Sequence, residues 1–540
     1  MGNPEKRISF LVTIAFLVVY FVSIVWINFN GGLWYQMDVF TYALEGRLMH
    51  ETRSFFPDGW VFSNQYHIIS SPNISALFYG IVKDSTISMA IASTLSSLLI
   101  LFSFWWCFKP YLEKTTIATG LLCIAGGVIF GRSASSYLSG LQVLHTMASF
   151  YGSYMIVLLV SLGCWLRLQQ KDSFPIWILV LVLPLNFAMG MQSLREMLIL
   201  VIPLLIMEAI HFFYHLSKGE SFGTTVKRNC SLLFVVSILI VEVAGHFYMA
   251  SLDITTTPII GEVDLDLSPK GLVEHVLSST KNLFRISGIA LAKDGLQYLP
   301  LSICAMLVAL IVIWSLLHII RIKDDGPLAQ AICFALISVM GVYFVGIFMM
   351  RTRDIYYFVY WLLATLSIVY FLRHIKVKHV LPCTITFLAI FAVNYGFNFI
   401  PDFKDYRQNN QTVVQFSKHL ADQGVKVIYL GAASPIFAAT SHDRIISQAL
   451  WLDATMASGY PLSVFPSDKY LPAFDDQHQK DALICFSNSY LDFIEKATSP
   501  FKEVIESSLV PVEELQLGQR KYILYKPTDR VIAPISLDYD

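Results

Sequence analysis

Apolar positions in this chain come in long runs separated by short polar joints. The first run extends from Ile8 to about Phe29, behind a charged start that includes Lys6 and Arg7. Others follow at roughly 85–108, 114–131, 145–166, 174–190, 196–214, 229–250, 297–319, 327–349, 355–372 and 379–396. Each is long enough, or nearly so, for a hydrocarbon layer of about 30 Å. The pattern predicts about 11 membrane spans over residues 1–396, an odd number that puts the termini on opposite sides. Past residue 397 the runs shorten. A helix is predicted over 411–423, stopped by Gly424. Short strands are predicted at 425–430, 481–486 and 521–525. Residues 397–540 therefore read as a small soluble α/β domain.

Two inter-span stretches, 30–84 and 251–296, are too polar to cross. In the first, Trp34 and Tyr35 suit a membrane–water interface. A short amphipathic helix then places Asp38, Thr41, Tyr42 and Glu45 on one face, with Val39, Phe40, Ala43, Leu44 and Leu48 on the other. Ser70-Ser71-Pro72-Asn73 marks a helix start. In the second, Ser268-Pro269 opens another interfacial helix that runs to about Leu291.

Composition agrees with a membrane protein. The 540 residues are 55% hydrophobic and 14% charged, with a mean hydropathy of +0.58. A net charge of −1 gives no bulk attraction to nucleic acid. The eight cysteines form no CxxC, so neither a zinc site nor a disulfide framework is indicated. The N-terminal charge order is that of a signal peptide. The run is too long, though, and no small-residue cleavage site follows, which predicts a retained anchor. The basic joints (Lys109/Lys114, Arg167/Lys171, Lys218/Lys227/Arg228, Arg321/Lys323, Arg373/Lys376/Lys378) all fall on one side. They predict a multi-pass protein of the inner (plasma) membrane, with a cytoplasmic N-terminus and an extracytoplasmic C-terminal domain.

Chemistry gathers in the opposite loops. They hold Asp38 and Glu45, then Arg132, His145, Arg195 and Glu196, then Arg351, Arg353 and Asp354. Arginines at outer span ends run against the usual charge bias. As a set they suit a phosphate, because the planar guanidinium donates to two oxygens at once. Each one alone could equally snorkel to a headgroup or pair with a neighbour. His145 reads as a structural polar residue. Asp264-Leu265-Asp266 is a DxD, which carries little information and reads first as a solvated acidic turn. There is no Walker loop, no GxGxxG and no internal repeat.

This layout resembles the GT-C superfamily of membrane glycosyltransferases, which includes protein O-mannosyltransferases and the aminoarabinose transferase of lipid A. The resemblance rests on Asp38 just after the first span, the interfacial helices of that loop and the turn Gly190-Met191-Gln192-Ser193-Leu194-Arg195. Arg351-Thr352-Arg353-Asp354-Ile355-Tyr356-Tyr357 and the outer α/β domain add to it. It implies transfer of a sugar from a polyprenyl-phosphate donor to an extracytoplasmic glycan, lipid or protein, with Asp38 as general base and inversion at the anomeric carbon. Glu45, Arg132, Arg195, Arg351 and Arg353 would bind substrate. No cofactor is implied. A divalent metal is left open, because the chain lacks an acid paired beside Asp38. The alternative is a transporter or flippase of a lipid-linked sugar, for which Glu242, in mid-run, is a better coupling acid than Glu208.

Overall fold

The computed structural model describes residues 4–30, 37–57, 62, 66–130, 140–146, 149–170, 176–217, 230–252, 254, 268–289, 296–348, 353–375, 380–430, 437, 440–449, 482–487, 509–517 and 520–527. The helices are α1 (Pro4–Asn30), α2 (Met37–Thr52), α3 (Ser71–Val82), α4 (Ser85–Phe108), α5 (Lys114–Leu122), α6 (Gly140–Leu144), α7 (Gly152–Leu168) and α8 (Ile176–Gln192). They continue as α9 (Ile202–Ser217), α10 (Cys230–Ala250), α11 (Pro269–Ile286), α12 (Leu299–Ile322), α13 (Pro327–Phe348), α14 (Val359–His374), α15 (Val380–Asn398) and α16 (Ile400–Asp422). Helix is found in every stretch read as a span. Among the described residues, six stretches are long and apolar enough to cross a bilayer by themselves: Arg7–Asn30, Ser85–Phe108, Cys230–Ala250, Leu299–Ile322, Pro327–Phe348 and Asp354–His374. The chain is a polytopic helical membrane protein with a small C-terminal sheet. Crossings beyond these six rest on the sequence pattern.

Two predicted spans are shorter than expected. α5 ends at Leu122 in a π-turn, Cys123–Gly127, where Gly126 takes φ 135°. A break inside a bilayer frees carbonyls that lipid cannot satisfy. Asn394 Nδ2 donates to Gly126 O at 2.7 Å and to Gly127 O at 2.9 Å, and Asn398 Nδ2 donates to Ile129 O at 2.6 Å. The second shortened span begins at Gly152 rather than at residue 145.

Small residues set the helix approaches. α4 buries Ser85, Ser88, Ser93, Ser96, Ser97 and Ser103. Several of these hydroxyls return to the preceding turn, as Ser96 Oγ does to Ala92 O at 2.9 Å, so they bury no unmet donor. α8 and α10 cross at Gly190 and Gly245. A Cβ on Gly190 would run into the Glu242 backbone, and one on Gly245 into Phe187 O.

The loop helices begin where the sequence places them. Ser70 N donates to Asn73 Oδ1 at 3.3 Å at the start of α3. Ser268 Oγ accepts from Gly271 N at 3.0 Å at the start of α11. α11 stops at Ile286, short of the expected 291, because Gly288 turns the chain at φ 84°. It points His275, Ser279 and Asn282 inward and leaves Val273, Leu277 and Phe284 exposed. That is the inverse of a soluble helix and suits one lying on lipid. The last helix also differs from expectation. α16 starts at Ile400, with Pro401 in its first turn, instead of near 411, and follows almost directly on α15.

The C-terminal sheet has the order β2-β1-β3-β5-β4, with β1 (Val427–Leu430), β2 (Ile446–Ala449), β3 (Ala482–Ser487), β4 (Leu509–Leu517) and β5 (Arg520–Pro527). β1 lies parallel to β2 and β3, while β5 is antiparallel to β3 and β4. β1, β3 and β5 match the predicted strands. β2 and β4 were not predicted.

Candidate active site at the outer end of the bundle

"Outer" here denotes the end carrying α2, α3 and α11, named from the loop charges. α2 does not lie open on a membrane surface as its amphipathic pattern predicts. Val39, Phe40 and Ala43 are fully buried, but so are Thr41 and Glu45 on the polar side. α3 and α4 pack against α2. A Cβ on Gly46 would stand 2.8 Å from Pro72 O, so α2 and α3 touch at backbone distance. The helix is a wedge held inside the loop.

Its polar face meets His67. His67 Nδ1 lies 3.1 and 3.2 Å from the two Glu45 carboxylate oxygens, and both side chains are almost wholly buried. The imidazole also packs edge-on to Tyr42 at 4.2 Å between centroids, and Tyr42 in turn meets Phe150 at 5.3 Å. Asp38 sits in the first turn of α2, four residues before Tyr42 and so on the same side of the helix. The Asp38 side chain lies outside the described residues.

Beside Phe150, Tyr151 begins the aromatic seat of Arg195. The guanidinium carbon is 4.9 Å from the Tyr151 ring centre, 5.6 Å from Tyr154 and 4.7 Å from Tyr356. Three rings therefore hold one cation at the turn between α8 and α9. Tyr356 belongs to the short 3₁₀ turn Asp354–Tyr357, which Arg353 precedes. Tyr356 N donates to Arg353 O at 3.2 Å, and Asp354 Oδ1 accepts from Ile355 N at 2.9 Å. Arg353 is exposed. Glu45 is thus linked through His67, Tyr42 and Phe150 to the Tyr151 ring that seats Arg195, and Arg353 stands at the head of the turn that carries Tyr356. Arg132 and Arg351, and with them Asp264 and Asp266, lie outside the described residues.

Gln192 ties the parts together. Its Oε1 accepts from Ile68 N at 3.2 Å and Ile69 N at 3.4 Å, and its Nε2 reaches Ser153 Oγ at 3.4 Å. It also lines a cavity of about 310 Å³ with Tyr66, Ser193, His246 and Met249, which opens beside the Arg195 turn.

His145 lies before α7, fully buried, with Nε2 2.7 Å from Ile124 O. Its own carbonyl accepts from Ser97 Oγ at 2.8 Å and Asn28 Nδ2 at 3.2 Å, a structural role as expected. Glu208 accepts from Trp165 Nε1 at 2.6 Å and Gln169 Nε2 at 2.7 Å. Glu196 and Glu242 are fully buried, and their carboxyl oxygens have no hydrogen-bond partner among the described residues. No group of three His, Cys, Asp or Glu that could hold a metal occurs among the described residues. Sequence reasoning missed His67, Tyr151 and Tyr154. Gln192 and Tyr356 stood in the two quoted motifs, but without an assigned part.

No family model matches the sequence, and no curated protein matches it. Solved structures do. ArnT from Cupriavidus metallidurans bound to undecaprenyl phosphate is 12% identical, with a TM-score of 0.51, 95% of this chain covered and 97% of that chain. Its apo form gives 11% identity and a TM-score of 0.52 over the same shares. The apo oligosaccharyltransferase of Archaeoglobus fulgidus is more distant, at 10% identity and a TM-score of 0.43, covering 88% of this chain and 69% of that one. The likeness to ArnT runs through both the helical bundle and the outer domain, and by it the chain has the GT-C fold.

Proposed function

We propose that the protein is a membrane glycosyltransferase that moves a sugar from a polyprenyl-phosphate donor to an acceptor outside the cytoplasm. The observation that carries this reading is the relay from Glu45 on α2, through His67, Tyr42 and Phe150, to the Tyr151 ring that seats Arg195, at one end of a GT-C fold. The undecaprenyl phosphate bound to ArnT supports a donor of that lipid class.

Arg195, already oriented by three rings, and Arg353 would take the donor phosphate, with Arg132 and Arg351 joining from the same loops. The transferred sugar would occupy the cavity beside Gln192 and Ser193. Asp38 would remove the proton from the acceptor hydroxyl as that oxygen bonds to the anomeric carbon. The bond from that carbon to the phosphate oxygen breaks, and its electron pair leaves on the phosphate, where the arginines stabilise it. One displacement inverts the centre. Glu45, neighboured by His67, would orient the site rather than carry the proton.

The test is purified protein in lipid with a polyprenyl-phosphate sugar and an acceptor glycan, lipid or peptide, without nucleotide or ion gradient. Release of polyprenyl phosphate with a glycosylated, inverted product is expected. Movement of the intact donor across the bilayer without its consumption would favour the flippase instead.

A further inference from the structure

The C-terminal domain reaches back to the first outer loop through one short turn around His442 and Asp443. His442 Nδ1 pairs with the Asp84 carboxylate. Asp443 accepts from Ser85 N at 2.8 Å and from Ser85 Oγ at 2.7 Å, and its Oδ1 lies 3.5 Å from Arg47 Nη1. Asp84 is also the cap of α4, accepting from Ile87 N at 2.9 Å. Arg47 belongs to α2, and its Nε donates to Glu51 at 2.9 Å. The turn therefore grips α2 and the first turn of α4 together, across 358 residues of sequence.

Two features separate this grip from incidental packing. His442 and Asp443 both adopt left-handed backbone, at φ 56° and 61°. Few residues other than glycine take that conformation, and His and Asp are among those that do so most readily, so the two side chains suit this tight turn. The turn is also braced from behind. The Ser417 hydroxyl of α16 meets Thr440 at 2.6 Å, Ser441 Oγ accepts from Ile445 N at 2.9 Å, and Arg444 pairs with Asp422 at 2.7 Å. A series of hydrogen bonds and ion pairs thus runs from α16 to Arg47, which is two residues from Glu45 on a 16-residue helix that also carries Asp38.

We propose that His442 and Asp443 are positioning residues for glycosyl transfer: the outer domain holds α2, and with it Asp38 and Glu45, in register with the arginine seat. This rests on the function proposed above. Displacing a reacting group by about 1 Å can lower turnover by about 10²-fold. Release of that hold should therefore slow the chemical step more than it weakens donor binding.

The experiment compares Asp443→Ala, Asp443→Asn, Arg47→Gln and the Asp443→Ala/Arg47→Gln pair. Asn keeps an acceptor for Ser85 and tolerates left-handed backbone. Arg47→Gln leaves the turn itself intact. Hydrogen exchange of the Met37–Thr52 amides and binding of bare polyprenyl phosphate are measured on each variant, beside kcat. Asp443→Ala and Arg47→Gln should each exchange α2 about 10-fold faster or more. They should also lose roughly 10- to 100-fold in kcat with donor affinity within about twofold. The pair should be little worse than either single change, and Asp443→Asn, which keeps one acceptor for Ser85 but loses the charge facing Arg47, should fall between wild type and Asp443→Ala. Unchanged α2 exchange overturns the proposal whether or not the protein transfers sugar. So does a loss of kcat matched by equal losses of donor affinity and folded protein. A wild-type protein with no transfer activity would sink the proposed function alone, and α2 exchange would still decide whether the turn holds the helix.

Discussion

Arg195 offers the most quantitative prediction. Its guanidinium carbon lies 4.7, 4.9 and 5.6 Å from three tyrosine ring centres, at a turn half screened from water. Each such contact contributes about 0.5–1 kcal/mol when exposed and about 2 when desolvated. The cage therefore orients the side chain by on the order of 2–4 kcal/mol before any ligand arrives. A charge-assisted hydrogen bond to a donor phosphate adds about 1.5–3 kcal/mol. Arg195→Ala should accordingly weaken donor binding by roughly 10- to 150-fold and leave acceptor affinity nearly unchanged. Arg195→Lys is the sharper variant. If charge alone mattered, lysine would restore the wild-type affinity. An ammonium, however, can neither lie flat among three rings nor hold two phosphate oxygens in one plane. Lysine should recover no more than about 1 kcal/mol, or roughly fivefold. The assay is equilibrium binding of polyprenyl phosphate to purified variants, with thermal unfolding as a control for folding. Wild-type affinity in Arg195→Lys would refute the cage argument, and wild-type affinity in Arg195→Ala would remove Arg195 from the phosphate site.

Two further outcomes are expected. Glu45→Gln replaces the buried carboxylate partner of His67 with an amide that still offers one acceptor, so the protein should lose about 1 kcal/mol of stability and retain partial transfer. Unaltered thermal unfolding would contradict this. Burial raises the Asp443 carboxyl above its ordinary 3.8, an effect the Ser85 hydrogen bond and Arg47 only partly offset. The folded state then holds that proton more tightly than the unfolded state does. Stability of wild type relative to Asp443→Asn should therefore decline as pH rises from 3.8 through the raised value, and level off above it. A difference that does not change with pH, or one that grows as pH rises, would contradict the burial.

Much of the scaffold was legible because its signals are local. The apolar runs, the Ser70 and Ser268 starts and the Gly424 stop each depend on neighbours within a few residues. Features set by distant partners were not. The π-turn at Cys123–Gly127 is tolerable because Asn394 and Asn398, 268 and 269 residues away from their partners in the sequence, meet the freed carbonyls. The amphipathic pattern of α2 pointed to an open surface helix, because nothing near Glu45 announces that His67 will bury it. Arg195 was singled out for its charge at an outer turn, but the rings that hold it come from two other segments. β2 is only four residues long and β4 carries Glu513, Glu514 and a proline, so neither offered a clear alternating pattern.

The central claim is that α2 presents Asp38 to an acceptor while the arginines hold a lipid-phosphate sugar. The most direct measurement is the transfer rate of Asp38→Asn beside its affinity for the donor, in the same membranes. Asparagine keeps the size and removes the basicity, so the account predicts normal insertion, normal donor binding and transfer reduced by about 10²-fold or more. Asp38→Glu should retain partial activity, since it keeps the base but moves it. An Asp38→Asn protein that turns over at the wild-type rate would make Asp38 an ordinary helix-end residue, favoured there only by the helix dipole, and would contradict the account.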